Sequence, residues 1–301
     1  MITPAFLKKG DKIGIVAPAR KIQMSEIEAA IKVFEWWGLE VELGKNIFAQ
    51  HQQFAGTDEQ RASDLQDMFD NPEIKAIVSA RGGYGTIKTM KHLSFTKFIE
   101  NPKWIVGYSD ITVLHAHLNQ NLGIKSVHGT MPLNFLNDTS ENKSIKSLKK
   151  ALFGEHISYE IDDNDLNKLG KAEGELSGGN LSVIYSLAGT EFDINMDEKI
   201  LFIEDLDEYL YHIDRMMMNL KHGGKLKNLK AIIVGGMTEM NDNIVAFGKS
   251  ANEIILEAVQ EYNYPVCFNF PAGHLKTNLA LVLGSWVKLD INNRVVEFSS
   301  Q

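Results

Sequence analysis

The chain has 301 residues, of which 44% are hydrophobic and 23% are charged, and its formal net charge at pH 7 is −8. This composition is typical of a globular protein, and the length favours two domains over one. A nucleic-acid partner would need a basic face, which the acidic balance argues against. The densest basic cluster lacks interleaved aromatic residues and is interpreted as a solvated helix face; it consists of Lys143, Lys146, Lys149 and Lys150.

The first twenty residues are not expected to form a targeting signal. Lys8, Lys9 and Asp11 interrupt the short apolar runs before a signal-peptide core could form. No stretch approaches the ~20 apolar residues that are needed to span a bilayer. The single cysteine, Cys267, excludes an intramolecular disulfide. We therefore expect a cytoplasmic protein without a membrane partner.

The first part of the chain alternates short apolar runs with helical patterns. Strands are predicted at 12–18, 39–43, 74–79, 104–107 and 125–128. An amphipathic pattern predicts a helix over 25–37 with Ser25 as its cap, and a second helix is predicted from just after Ser109 to about Leu122. This alternation predicts a parallel sheet with helices on both faces, where sites form at the carboxyl ends of the strands.

The remaining chain divides into a polar segment and a second α/β region. Residues 138–170 are rich in Asn, Asp, Ser and Lys, and we interpret them as an inter-domain linker region with a short helix at 145–152. The predicted domains are accordingly 1–137 and 171–301. In the second, strands are predicted at 199–203, 229–234 and 266–270, and helices at 213–221 and 251–262. The tail alternates like paired strands with a turn at Asn292-Asn293.

A candidate nucleophile follows the fourth predicted strand. Gly107-Tyr108-Ser109 joins a buried strand directly to a helix, as in a nucleophile elbow that presents a serine hydroxyl near a helix amino terminus. The hydrolase pattern expects a glycine two residues after the serine, and Ile111 stands there instead. The alternative is that Ser109 only caps the helix.

A glycine-rich turn follows the neighbouring strand. Three glycines in Arg81-Gly82-Gly83-Tyr84-Gly85 let the backbone approach a ligand closely and direct N–H groups at it. The turn lacks the Lys-Ser/Thr of a phosphate-binding Walker loop and the glycine spacing of a dinucleotide site. The alternative is a tight strand-to-helix turn without a ligand.

A nucleophilic serine needs a base, and the base needs a group that orients it. His274 follows a predicted strand in a loop, where catalytic histidines are common, and His128 is a second candidate. Glu204 is the first polar residue after an apolar strand and could orient an imidazole; the alternative is a solvated acidic loop. Cys267 lies inside an apolar run and is interpreted as a buried structural thiol. No metal-ligand cluster or cofactor motif is found.

Together these motifs resemble the LD-carboxypeptidase (muramoyl-tetrapeptide carboxypeptidase) family of serine peptidases. The resemblance covers nearly the whole chain and rests on the ordered segments IVAPA, ARGGYG, VGYSDIT, HGTM, SGGNLS, FIEDLDE and PAGH. It departs from many members at HGTM, where they have HGPM. The resemblance implies a triad of Ser109, Glu204 and His274, with backbone N–H groups of Gly83 and Asp110 as oxyanion donors.

The resemblance also implies an architecture and an activity. The expected fold is a flavodoxin-like parallel-sheet first domain with a smaller, swivelling second α/β domain, assembled as a homodimer. The expected reaction releases the terminal D-alanine of a murein tetrapeptide by hydrolysis of an L,D amide bond during peptidoglycan recycling, without a cofactor. Expected substrate contacts are Arg81, Gly82, Tyr84 and Asn180, although Arg81 could instead pair with an acidic group of the protein.

Two other functions stay open from the sequence. One is a sister activity in the same superfamily, the microcin C self-immunity type of amide hydrolase, which acts on a peptidyl- or aminoacyl-nucleotide. Members of that type stack the base on aromatic residues of the second domain, where Tyr209 and Tyr211 are candidates. The other is a non-catalytic ligand-binding module that has kept the fold.

Overall fold

The computed structural model describes residues 1–135 and 142–298, which form two β-sheets flanked by helices. The strands are β1 (Lys12–Val16), β2 (Glu40–Leu43), β3 (Ile74–Ser79), β4 (Trp104–Gly107), β5 (Ser126–His128), β6 (Ser158–Glu160), β7 (Lys171–Asn180), β8 (Lys199–Leu206), β9 (Ala231–Thr238), β10 (Val266–Cys267), β11 (Leu281–Leu283), β12 (Trp286–Asp290) and β13 (Val295–Phe298).

The α-helices are α1 (Met24–Trp36), α2 (Asp58–Asp70), α3 (Thr86–Thr89), α4 (Thr96–Glu100), α5 (Thr112–His117), α6 (Lys143–Phe153), α7 (Leu181–Leu187), α8 (Leu210–His222) and α9 (Ala251–Val259). Short 3-10 helices lie at Met90–His92, Ser109–Ile111 and Pro132–Asn134, and α5 continues into a π-helical segment, Leu118–Leu122. No helix in the described ranges is long and apolar enough to cross a membrane.

The first sheet has the strand order β2-β1-β3-β4-β5-β11. Its first five strands are parallel, and the order 2-1-3-4-5 is that of flavodoxin-like folds, which confirms the predicted fold class. The edge strand β11 pairs antiparallel with β5 and comes from the last third of the chain. The carboxyl-terminal part of the chain therefore completes the sheet that carries Ser109.

The central strands of this sheet are buried on both faces. Ile13, Ile15 and Val78 have no solvent exposure, as expected for parallel strands that helices cover on both sides. Each such side chain contributes about 1.5–3 kcal/mol through burial. Helix α1 begins at Met24 rather than at Ser25, so the predicted Ser25 cap is wrong. The N-cap is the extended residue Gln23, whose backbone N–H donates to the Glu26 carboxylate at 2.7 Å.

The second sheet has the order β10-β9-β8-β7-β12-β13-β6. Strands β10, β9, β8 and β7 are parallel, and β12, β13 and β6 extend the sheet by antiparallel pairing. The predicted hairpin in the tail is confirmed as β12–β13. At its turn, the backbone N–H of Asn293 donates to Oδ1 of Asp290 at 3.1 Å.

Strand β7 is central to the second sheet, and the sequence pattern did not predict it. Glycines are depleted in strands, so a segment that contains Gly174, Gly178 and Gly179 is not predicted to be a strand. The structure explains the glycines, because a Cβ on Gly178 would overlap the carbonyl oxygen of Phe202 in β8. Gly178 also has φ +132, which side-chain-bearing residues rarely adopt.

The described part of the predicted linker region forms a helix that packs into the hydrophobic core and a strand that joins the second sheet. The predicted short helix is confirmed as α6, which packs Ile145, Leu148 and Leu152 into the hydrophobic core. Strand β6 then pairs with β13 at the edge of the second sheet. The predicted boundary between residues 137 and 138 lies outside the described residues.

Candidate active site

Ser109 stands at a strained turn between β4 and a helical segment. Its φ is +64°, and left-handed backbone is uncommon and costly for a residue that is not glycine. The 3-10 helix Ser109–Ile111 and then α5 follow directly. In the described ranges Ser109 Oγ makes no hydrogen bond, and the helix has no side-chain cap, so the capping alternative finds no support. The geometry is that of a nucleophile elbow.

Ile111 fits where the hydrolase pattern has a glycine. Its side chain is fully buried and packs against Gly107, where a Cβ would lie 2.7 Å from Cγ1 of Ile111. The small residue at this turn therefore precedes the serine rather than follows it. The departure from the pattern does not disturb the strand-to-helix turn.

The glycine turn lies beside Ser109 at the carboxyl end of β3. A Cβ on Gly82 would stand 2.9 Å from Cβ of Ser109 and 3.2 Å from its Oγ. Gly83 has φ +118, and a Cβ there would lie 2.6 Å from Cγ and Cδ of Arg20. Both positions thus need glycine because backbone and side chains approach them closely.

We expect Gly82→Ala to lower kcat/KM by about 10- to 100-fold, because the added methyl displaces the serine by a fraction of an ångström or more. Steady-state kinetics together with the midpoint of thermal unfolding measure the effect. The matched control is Gly129→Ala, whose new Cβ would meet its nearest neighbour, Cβ of Ala280, at an ordinary 3.5 Å. Equal activity of the two variants would contradict the close approach of Gly82 to Ser109.

Glu204 and His274 form a buried pair on the second sheet. Oε2 of Glu204 lies 2.6 Å from Nδ1 of His274 and accepts the backbone N–H of His274 at 3.1 Å. Glu204 lies at an irregularity in the pairing of β8 with β9, between Ile203 and Asp205. Such bulges re-aim side chains next to active sites. The His274 ring packs edge-on against the ring of Tyr108, with centroids 4.8 Å apart, beside the serine turn.

The pair is arranged to hold a charged imidazole. Burial opposes ionisation of Glu204, but the imidazoles of His128 and His274 outweigh it and hold the pKa of the carboxyl at about 2. Burial likewise would lower the pKa of His274, but the hydrogen bond and charge of Glu204 raise it above the ordinary histidine value, with Asp205 and Glu239 adding smaller contributions. A proton on His274 is therefore stabilised.

His128, the second candidate base, lies on the other side of Glu204. Its side chain is fully buried, and its Nε2 is 4.0 Å from Oε1 of Glu204. Neither of its ring nitrogens, nor that carboxylate oxygen, has a hydrogen-bond partner in residues 1–135 and 142–298. His128 does not line the cavity that contains Ser109. His128 therefore lies beside Glu204 and does not share the cavity with Ser109.

The acidic run that begins near the carboxyl end of β8 is not a solvated loop throughout. Glu204 and Asp205 are buried, whereas Asp207 is exposed. The carboxylate of Asp205 accepts hydrogen bonds from Nδ2 of Asn180 at 2.9 Å and from the backbone N–H of Ser182 at 2.8 Å. Burial, with a further contribution from the charge of Glu204, raises the pKa of Asp205 to about 7. The solvated-loop alternative is thus wrong for Glu204 and Asp205.

One cavity of about 570 Å³ brings the predicted residues of both units together. Ser109, Asp110 and His274 line it, and so do all four predicted substrate contacts, Arg81, Gly82, Tyr84 and Asn180. Glu204 reaches it through His274. Polar residues of the lining that were not predicted from the sequence include Arg20, Ser182 and Ser186. Arg20 could have been predicted from the sequence, because it is the first charged residue after β1. It follows the carboxyl end of that strand, and the other site residues also lie at the carboxyl ends of strands.

Cys267 is excluded as a competing nucleophile. Its thiol is fully buried in β10, and burial raises its pKa to about 12. The thiolate, which is the reactive form, is therefore not populated near neutral pH. This confirms the interpretation of Cys267 as a structural residue.

A strained serine that shares a cavity with a carboxylate-bound histidine, at the meeting of two α/β units, is the arrangement of a serine hydrolase. Comparison with known proteins agrees. Residues 13–129 match the family profile of the LD-carboxypeptidase N-terminal domain, and residues 173–289 match that of the LD-carboxypeptidase C-terminal domain. The chain belongs to the LD-carboxypeptidase family.

Named relatives and solved structures resemble the chain along nearly its whole length. A probable murein peptide carboxypeptidase of Bacillus subtilis is 37% identical over 289 residues, covering 94% of this chain and 89% of the relative. The crystal structure of a muramoyltetrapeptide carboxypeptidase from Oxalobacter formigenes superposes with a TM-score of 0.86 at 29% identity, covering 95% and 97% of the two chains.

A more distant solved structure has the same fold. The microcin C7 self-immunity protein MccF, in complex with aspartyl sulfamoyl adenosine, superposes with a TM-score of 0.90, covering 100% of this chain and 99% of that one. The identity is only 23%, so this likeness concerns the fold alone.

Proposed function

We propose that this protein is a serine carboxypeptidase that hydrolyses the L,D amide bond of murein tetrapeptides and releases the terminal D-alanine. The observation that carries the proposal is the His274–Glu204 pair, which opens onto the same cavity as the strained Ser109. The names of the relatives support the substrate class. The Bacillus subtilis relative is named for murein peptides, and the Oxalobacter formigenes structure is named for a muramoyltetrapeptide.

The first chemical step forms an acyl-enzyme on Ser109. Glu204 engages Nδ1 of His274, which leaves Nε2 to accept the proton of the serine hydroxyl as Oγ attacks the carbonyl carbon. The unbonded hydroxyl of Ser109 then closes on the imidazole when substrate enters, as catalytic hydrogen bonds commonly tighten in the complex. The charge of Glu204 stabilises the imidazolium that forms.

The tetrahedral intermediate needs donors for its oxyanion. Asp110 is the second residue of the helix that begins at Ser109, so its N–H has no carbonyl partner inside that helix. The N–H of Gly83, in the adjacent turn, is the second proposed donor. Each such donor is worth roughly 2.7–4 kcal/mol. His274 then protonates the leaving amine of D-alanine, and water hydrolyses the acyl-enzyme with His274 as base.

The microcin C type of hydrolase is the second candidate, because an aromatic pair lies close to the cavity. Tyr209 and Tyr211 are exposed, their ring centroids are 5.5 Å apart, and they follow Asp207, which lines the cavity. Aromatic faces of this kind stack on a nucleotide base. A non-catalytic ligand-binding module would instead bind peptide without turnover.

Mass spectrometry of the protein incubated with three substrates separates these functions. The substrates are two murein tetrapeptides, with lysine or meso-diaminopimelate at the third position, and an aminoacyl-sulfamoyl-adenosine. We expect loss of one alanine residue from at least one tetrapeptide and an intact nucleotide conjugate. Cleavage of the conjugate alone would favour the microcin C type, and cleavage of none would favour the binding module.

The proposed setting is the cytoplasm, where murein peptides are recycled, and the proposed assembly is a homodimer. The partner is a small peptide, and neither nucleic acid nor membrane takes part. Light scattering coupled to size-exclusion chromatography tests the assembly. A mass of one chain at micromolar concentration would contradict the dimer.

We expect activity to survive EDTA unchanged, because the proposed reaction uses a side-chain nucleophile and backbone donors at every step. The measurement compares kcat/KM before and after dialysis against the chelator, with and without added zinc. A loss that zinc restores would contradict the serine mechanism and indicate a metal-activated water.

A further inference from the structure

Arg20 lies across the glycine turn beside the nucleophile. Its backbone N–H donates to the carbonyl oxygen of Gly82 at 3.4 Å. Its Cγ and Cδ occupy the space where a Cβ on Gly83 would stand, 2.6 Å from that position. The stem of the side chain therefore covers the proposed oxyanion turn. Arg20 lines the same cavity as Ser109 and His274.

The guanidinium of Arg20 has no carboxylate within ion-pair distance in the part of the chain that the structure describes. The neighbouring carboxylate of Asp110 is engaged elsewhere, since it accepts the backbone N–H of Thr86 at 2.7 Å. The other arginine of the cavity, Arg81, has partners within the protein. Nη1 of Arg81 donates to the carbonyl oxygen of Lys21 at 3.1 Å and lies 3.9 Å from Glu26 of α1. Arg20 thus has the less compensated charge.

A carboxypeptidase has to recognise a free carboxylate close to the bond that it cuts. When a single residue leaves, its terminal carboxylate lies within about one residue length, ~3.8 Å, of the scissile peptide. The cation that binds it must therefore stand next to the nucleophile. Guanidinium groups bind carboxylates through two parallel hydrogen bonds and fix their orientation.

We propose that Arg20 binds the terminal carboxylate of the leaving D-alanine and so restricts the enzyme to removing one residue from a free carboxyl end. This inference rests on the proposed function and adds the residue that makes the enzyme an exopeptidase. Arg81, at the far end of the same turn, is held by α1 and contributes to the shape and charge of the cavity.

The test compares a murein tetrapeptide with its carboxy-terminal amide, D-alaninamide, by steady-state kinetics. The wild-type enzyme should prefer the free acid. Arg20→Gln should lower kcat/KM for the free acid by about 10- to 100-fold, mainly through KM, and leave kcat/KM for the amide unchanged. Arg20→Lys should lie between, because it keeps the charge and loses the second hydrogen bond. Lys21→Gln removes the adjacent exposed cation, which does not line the cavity, and should match wild type.

Each outcome decides the proposal. An equal loss on both substrates, or an unchanged preference for the acid, would overturn the role of Arg20. The role of Arg20 would also be overturned if Arg81→Gln, and not Arg20→Gln, lowered kcat/KM for the free acid alone. If wild type cleaves the acid and Arg20→Gln has no effect, the proposed function stands and the inference fails. If wild type cleaves neither substrate, the proposed function fails and the inference falls with it. Circular dichroism of Arg20→Gln confirms folding, which an exposed side chain should not disturb.

Discussion

Ser109→Ala should abolish turnover of the tetrapeptide, with kcat reduced by roughly 10⁴- to 10⁶-fold, because the acyl-enzyme cannot form without the hydroxyl. The fold should persist. Only one oxygen is removed, and that oxygen makes no hydrogen bond within the described ranges. The measurements are kcat from released D-alanine and the midpoint of thermal unfolding.

Ser186→Ala is the matched control, since it removes a hydroxyl from the rim of the same cavity. Its hydroxyl donates to the carbonyl oxygen of Val183 within α7, and the variant should keep kcat close to wild type. Turnover by Ser109→Ala within about tenfold of wild type would rule out the nucleophile assignment, since loss of a triad nucleophile costs far more.

Glu204→Gln should lower kcat by about 10³- to 10⁴-fold and move the acid limb of kcat/KM to lower pH. The proposed reaction needs His274 neutral in the free enzyme, so activity should rise as pH increases through the pKa of this histidine. The carboxylate of Glu204 raises that pKa, and removal of the charge lowers it. The amide also offers an N–H to Nδ1, which favours the wrong tautomer. A pH series of kcat/KM measures both effects.

Two neighbouring acids serve as comparisons. Asp205→Asn should shift the acid limb less, because Asp205 acts on His274 only through its charge and is held by Asn180 and Ser182. Glu208→Gln should not shift it, because Glu208 contacts His212, with Oε2 2.5 Å from Nδ1, outside the cavity. Equal small effects of all three changes would mean that another group orients His274.

The sequence predicted the first sheet and the serine turn because both are local patterns. The buried run of β4 leads into Gly107-Tyr108-Ser109, and hydrophobic periodicity alone marks the strand. The parallel order places the turns after β3 and β4 side by side, as expected. The pairing of Glu204 with His274, however, was expected from the family resemblance rather than from spacing, since the two residues are 70 positions apart in the chain.

Other features arise only from the tertiary structure. Strand β7 was not predicted because it is rich in glycine. Glycine is required at Gly178 because the backbone of Phe202 in the neighbouring strand approaches it closely. An acidic run is usually a surface feature, so the burial of Glu204 and Asp205 could not be read from it. Contacts between segments that are distant in the chain place β11 at the edge of the first sheet. Such contacts also place the side chain of Arg20 against Gly83.

In the proposed reaction, Ser109 cuts an L,D amide bond at the end of a murein tetrapeptide. The most direct measurement is the release of alanine from two tetrapeptides that differ only in a D- or L-configured terminal residue, by wild type and by Ser109→Ala. We expect release from the D-form by wild type alone. Equal release from the L-form, or release of D-alanine by Ser109→Ala, would contradict it.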